Sequence, residues 1–235
     1  MNLPVLNTPK YEMVIPSSGE TIEYRPFLVK EQKVLMMAQE SGDQQLMVKS
    51  IGEIVKSCTF GKVDNPDNIP TFDLEYMFLM TRAKSVGSSI KLTITCPDDG
   101  VTEVEHEVLI DDIQVIKNKE QKNEIMLTDD IGVTMRYPTM NMIRGFAGDN
   151  SKVTELSFSM IKNCIVNVFD KEQVYDEMSE QDLDSFIEQM NTSQFEKISD
   201  FFDSMPKLSH TIEVTNPNTG VKSEIKLEGL QSFLE

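Results

Sequence analysis

The sequence of 235 residues has no tryptophan, three cysteines, two histidines and only 22 lysines and arginines against 39 acids. Each shortage excludes something. Three scattered cysteines, Cys58, Cys96 and Cys164, cannot form a disulfide framework, and an odd, sparse set suits a reducing compartment. A net charge of −17, with no basic run, argues against nucleic acid, whose binding depends on neutralised phosphates. It argues equally against an anionic membrane surface. No apolar stretch approaches the roughly 20 residues that span a bilayer. The opening Met1–Asn7 has neither a basic flank nor a long apolar run, so a signal peptide is not expected. Absent tryptophan and few tyrosines leave no platform for stacking sugars or bases.

Catalytic patterns are missing too. The chain contains no Gly-x-Ser-x-Gly elbow, no phosphate-binding Gly-x-x-x-x-Gly-Lys-Ser loop and no His-Glu-x-x-His helix. His106 and His210 fall in alternating, strand-like segments, where a histidine packs or lies at an edge. Asp129-Asp130 reads as a turn, because adjacent strand residues face opposite sides and do not converge on one substrate atom. No catalytic residue and no cofactor is therefore expected.

What the sequence does hold is regular patterning. Residues 11–28 alternate around Ser17-Ser18-Gly19-Glu20 and predict a hairpin. Helices are expected over 29–40, stopping at Ser41-Gly42, and over 43–58, with Met47, Ile51, Ile54, Val55 and Cys58 on one stripe. A third, running from near Asp73 to Val86, is apolar nearly all round, as a helix buried on most sides is. Hairpins follow at 89–110 and 124–137. Helices are then predicted at 139–147, ending at Ala147-Gly148, and at 151–168, with Val153, Leu156, Met160, Cys164 and Val168 in a seam. Ser179 and Asp182 make a capping pair for the next helix. Another covers 194–204, with Phe195, Ile198, Phe202 and Met205 inward, and Pro206 stops it. The tail is a hairpin about Asn216–Gly220, then a short amphipathic turn with Leu230, Phe233 and Leu234.

The turn Thr95–Val101 resembles Thr215–Val221: in both, an X-Pro pair and a glycine join two strands. Turn chemistry alone produces such a likeness, and so does a reused hairpin module. Both hairpins sit where the turns of a zinc ribbon would sit. Tetrahedral zinc needs four ligands. The first turn has Cys96, with Asp99 in the second ligand's place. The other has Asn216 and no cysteine. These hairpins are zinc-knuckle-like but degenerate, and no metal is expected.

Fifteen methionines are the compositional oddity. Methionine fills irregular gaps in cores, and it also makes adaptable contact surfaces. Candidates for partner contact are Met36, Met37, Met47, Met77, Phe78, Met80, Phe158, Ile161 and Phe233. The helices at 72–86 and 151–168 are expected to serve as core plus contact. The acidity reads either as solubility or as a match to a basic partner surface.

Three strings carry a family likeness: Tyr24–Ser41 (YRPFLVKEQKVLMMAQES), Ile51–Thr59 (IGEIVKSCT) and Asp73–Leu79 (DLEYMFL), with the ending Leu227–Leu234 (LEGLQSFL). They resemble the baseplate hub and hub-assembly family of T-even-like contractile-tailed phages. Members carry Cys-Pro-x-Cys-like turns in the two hairpins, and this sequence departs from them there. The resemblance implies a non-enzymatic protein that binds other baseplate hub or tail proteins during assembly in the host cytoplasm, with the virion baseplate as its destination if it is retained. It would act either as a retained subunit, alone or as an oligomer, or as a transient assembly chaperone. An enzyme with unrecognised carboxylates is the alternative from another class. The expected fold is α+β, with antiparallel hairpins at the N-terminus, middle and C-terminus and helices between. Its expected segments are 1–88, 89–138 and 139–235, either separate or integrated into one domain.

Overall fold

The computed structural model describes residues 6–118, 121–144 and 153–233. In chain order the elements are β1 (Tyr11–Val14), β2 (Thr21–Tyr24), α1 (Val29–Ser41), α2 (Gln44–Cys58), α3 (Thr71–Val86), β3 (Ser89–Thr95), β4 (Glu103–Leu109) and β5 (Gln114–Ile116). There follow β6 (Glu124–Met126), β7 (Gly132–Met135), α4 (Met140–Arg144), α5 (Val153–Cys164), β8 (Ile165–Phe169) and β9 (Val174–Tyr175). The last are α6 (Glu180–Glu188), α7 (Thr192–Ser204), β10 (Lys207–Thr215) and β11 (Lys222–Glu228). Every strand pairing among the described residues is antiparallel, and the fold is α+β with hairpins at the start, middle and end. The chain divides into two units: unit 1 is residues 1–116 with 207–235, and unit 2 is residues 117–206.

Unit 1 is built on helices whose ends are specified locally. The Asp43 carboxylate accepts the N–H groups of Gln45 and Leu46, at 2.8 and 3.2 Å, and so starts α2 by satisfying donors the helix cannot. The apolar stripe of α2 then buries Ile51, Ile54, Val55 and Cys58. α3 buries Phe72, Leu74, Met77, Phe78, Leu79 and Ala83, in keeping with its all-round apolar sequence. A buried ion pair fastens the N-terminal hairpin to α1. Arg25 donates to Glu31 at 2.9 Å and to the Ser57 hydroxyl at 2.8 Å, and Glu31 also accepts the Leu28 N–H at 2.8 Å. β10 lies between β11 and β5, with Leu208 opposite Val115.

Unit 2 has a four-stranded sheet in the order β6-β7-β8-β9. Its core comprises Leu127, Val133, Met135, Ile161, Cys164, Ile165, Val168, Ile187, Ile198 and Phe201. Tyr137 stacks on Phe201, with ring centres 5.6 Å apart. α6 opens on a reciprocal capping box: Ser179 Oγ accepts the Asp182 N–H, and Asp182 accepts the Ser179 N–H at 2.9 Å.

The end of α5 and the short strands β5 and β9 differ from the sequence expectation. The helix expected to reach residue 168 ends at Cys164, and the chain passes directly into β8. Ile165, Val166 and Val168 are β-branched and favour a pleated, paired backbone, and β7 supplies the partner, with Val133 opposite Val168. The short strand β5 has no local signal, because β10, its partner among the described residues, is remote in sequence. The expected helix end at Ala147-Gly148, the start of the next helix at residue 151 and Leu234 lie outside the described residues.

Candidate protein-docking surfaces

The nine candidates for partner contact fall into two groups. Met36, Met37 and Phe158 are exposed, by 52, 59 and 44%. Met47 and Met80 are partly buried. Met77, Phe78, Ile161 and Phe233 are buried in the chain's own core, at 1, 0, 6 and 0% exposure. Of these, Ile161 still edges a groove in unit 2. The stripe of a helix shows that a face is covered, and only the fold shows whether this chain or another does the covering.

In unit 2 a groove of about 540 Å³ runs beside α5 and α7. Its walls are Ile143, Leu156, Met160, Ile161, Phe195 and Phe202, with Ser157, Ser199 and Asp203 among them. Phe158 stands near it, its ring 5.2 Å from that of Phe195. The surrounding sequence is acidic. Residues 176–203 carry nine acids against one lysine, Lys197, whose ammonium donates to the carbonyls of Met126 and Leu127. A second cleft of about 410 Å³, lined by Ile131, Phe169, Met178 and Phe186, includes Asp170, Glu177 and Asp182. Phe195 and Phe202, expected to face inward, are only partly buried and help to wall the groove. Their spacing of seven, two helical turns, puts them on one face, but no local signal shows that the face is only half covered.

In unit 1 the apolar side chains on α1 are mostly exposed. Of its residues only Glu31 and Ala38 are buried, and Val29 is 82% exposed.

The two hairpin tips paired by sequence likeness meet in space. Cys96 N–H donates to Thr102 and Gly100 N–H to Cys96, at 2.7 and 2.9 Å; Asn216 N–H donates to Val221 and Gly220 N–H to Asn216, at 2.9 and 2.8 Å. Gly100 and Gly220 take left-handed φ values of 69° and 75°, which close both turns. Asn216 is buried. Its carbonyl oxygen holds its own turn through the N–H of Asn218, at 2.8 Å. Its amide nitrogen donates to Asp98 at 3.0 and 3.1 Å and to Asp99 at 2.9 Å. Thr219 adds a hydroxyl bond to Asp98, at 2.6 Å. Hydrogen bonds from Thr219 and Asn216 hold the Asp98 carboxyl below its ordinary range, and bonds from Thr102 and Val101 do the same for Asp99. Among the described residues no group of three or more His, Cys, Asp or Glu is placed to hold a metal ion.

The three cysteines are buried and free. Burial pushes the Cys58 thiol up to about 11 and that of Cys164 to about 12, so neither is a ready nucleophile. Among the described residues no helix is long and apolar enough to cross a membrane.

A family comparison gives this geometry its class. The model described as "T4 bacteriophage base plate protein" matches residues 8–235. The chain belongs to that family. Membership indicates a structural protein of the phage tail baseplate and implies contact with other tail or baseplate proteins. No curated protein and no solved structure gives a significant match.

Proposed function

We propose that the protein acts in building the central hub of the baseplate, by docking an apolar segment of another baseplate protein without covalent chemistry. The observation that carries this reading is the unit 2 groove, apolar along α5 and α7 and set in an acidic stretch. The partner it suits presents large apolar side chains flanked by lysine or arginine. Burying such side chains removes apolar surface from water, at about 25 cal/mol per Å². The acidic surround adds steering and selects against acidic competitors. Holding the partner in one arrangement lowers the entropic cost of the next association step, and assembly then proceeds by mass action.

The test is co-expression with each hub and wedge component, followed by pull-down. A stable complex with a hub component is expected. Phe158→Asp, at the edge of the groove against Phe195, should weaken it by roughly 30-fold or more, as losing an aromatic anchor costs about 2 kcal/mol. No complex with any hub component would remove the reading. Mass spectrometry of mature virions separates a retained subunit, which is present, from an assembly factor, which is absent.

A further inference from the structure

The exposed face of α1 has a pattern that the groove in unit 2 does not share: it is complementary to itself. At 100° per residue, the buried positions Glu31 and Ala38 lie on one side of the helix, and Val29, Lys33, Met36 and Glu40 lie on the opposite side. These four step by four, three and four residues, the spacing of a coiled-coil seam. With Gln32 and Met37 they line an open furrow of about 510 Å³. Met36 and Met37, at its centre, are more than half exposed. Flexible thioether side chains suit a contact that must repack as it forms.

The two charges in the seam decide what fits it. Lys33 and Glu40 are equally far, in opposite directions, from the midpoint between Met36 and Met37. A second α1 laid antiparallel about that midpoint brings Lys33 of each copy against Glu40 of the other, twice. A parallel mate would put Lys33 against Lys33 and Glu40 against Glu40. An isologous two-fold contact requires this reciprocity, in which residue i meets j and j meets i.

We propose that two copies of this chain associate through an antiparallel α1–α1 contact centred on Met36 and Met37. The inference is independent of the hub reading, since it invokes no other protein. A 13-residue seam buries less than the ~800 Å² per partner of a standard stable interface, so the dimer is a concentration-dependent one.

Sedimentation velocity on the full chain over a concentration series tests it. A monomer–dimer equilibrium is expected. Met37→Glu should abolish it. Lys33→Glu alone sets two carboxylates against each other at both ends of the contact, and Glu40→Lys alone sets two ammonium groups there. Each should raise the dimer dissociation constant at least tenfold. Mixing these two single variants pairs unlike charges across one seam only if the two chains associate with each other: one end then joins the two reversed side chains and the other end the two unreversed ones. Position 33 of the first variant is acidic and position 40 of the second is basic, so that end forms an ion pair. At the other end, Glu40 of the first variant meets Lys33 of the second, the parent pair. The mixture should therefore restore the dimer as a heterodimer. Thermal melts of the dilute variants should match the parent, because the altered side chains are exposed. A chain that stays monomeric at every concentration overturns the proposal. So does a dimer indifferent to Lys33→Glu, or a mixture that pairs no better than its components.

Discussion

The Asn216 amide nitrogen reaches both oxygens of Asp98, at 3.0 and 3.1 Å, across 118 residues of sequence. One side chain thus closes its own turn through its oxygen and the opposite turn through its nitrogen. Replacing it with alanine leaves Asp98 and Asp99 without their shared donor. Asn216→Ala should lower the unfolding free energy by about 1–3 kcal/mol in a urea titration. Asn216→Asp keeps the shape but adds a third carboxylate, so its deficit should exceed that of alanine at pH 7 and shrink toward pH 4.

Glu75 gives a pH dependence of the unusual sign. Burial pushes its carboxyl up to about 7, against the opposing hydrogen bond from the Leu230 N–H at 3.3 Å. The folded state therefore holds this proton more tightly than the unfolded state. Its stabilising effect is complete below about pH 4.5 and is lost as the pH rises to about 7 and beyond. Glu75→Gln should match the parent near pH 4 and exceed it near pH 8, by up to about 3 kcal/mol. Urea midpoints across that range give the comparison, and parallel profiles would dismiss the assignment.

The Arg25–Glu31 pair behaves in the opposite sense. Burial alone would raise the Glu31 carboxyl. Hydrogen bonds from Arg25, the Leu28 N–H and Ser57 outweigh it and hold the group at about 2. Its contribution is present above the ordinary carboxylate range near 4.5 and fades as the pH falls toward 2. Glu31→Ala strands a buried guanidinium and should cost about 3–5 kcal/mol at neutral pH. Thermal unfolding at pH 7 measures it; a loss below about 1 kcal/mol would show that water replaces the carboxylate.

Gly132 lies opposite Phe169 in the β7–β8 pair, and a Cβ there would run into the Phe169 ring. Gly132→Ala should therefore destabilise unit 2 by about 1–3 kcal/mol. Adding Phe169→Leu should return part of that loss, because the obstructing ring is removed. Hydrogen exchange of the β7 and β8 amides reports the change locally.

The legible parts of the fold were those governed by nearby residues. Ser179 announced its helix start because a cap acts within three residues; Asp43 and Asn191 do the same work for α2 and α7 and were not read as caps. The X-Pro turns likewise closed where expected. The end of α5 was hidden, since Cys164 and Val168 continue a helical spacing by coincidence. Both are buried, yet they belong to a helix and a strand respectively. Only β7, about 30 residues earlier, decides between the two. The candidate docking residues divide for the same reason. Phe158 and Ile161 are three positions apart on one helix, and one is 44% exposed and the other 6%. Met77 and Phe78 read equally well as core or as contact, and the elements around α3 cover both. The baseplate family was legible only as strings of residues, because none of them carries a chemistry that names it.

Unit 2 leaves unit 1 after Ile116 and returns at Lys207, and these two residues face each other across β5 and β10. The outgoing and incoming strands are thus neighbours about 4.8 Å apart. Seen from unit 1, the whole of unit 2 is the loop of a single hairpin. Closure entropy rises only with the logarithm of loop length, so such an insertion is cheap at equilibrium. Its effect is on timing. During synthesis, residues 117–206 are complete before β10 exists, whereas unit 1 must wait for its last two long strands. The N-terminal helices therefore wait through the synthesis of residues 117–206 for the sheet that finishes their core.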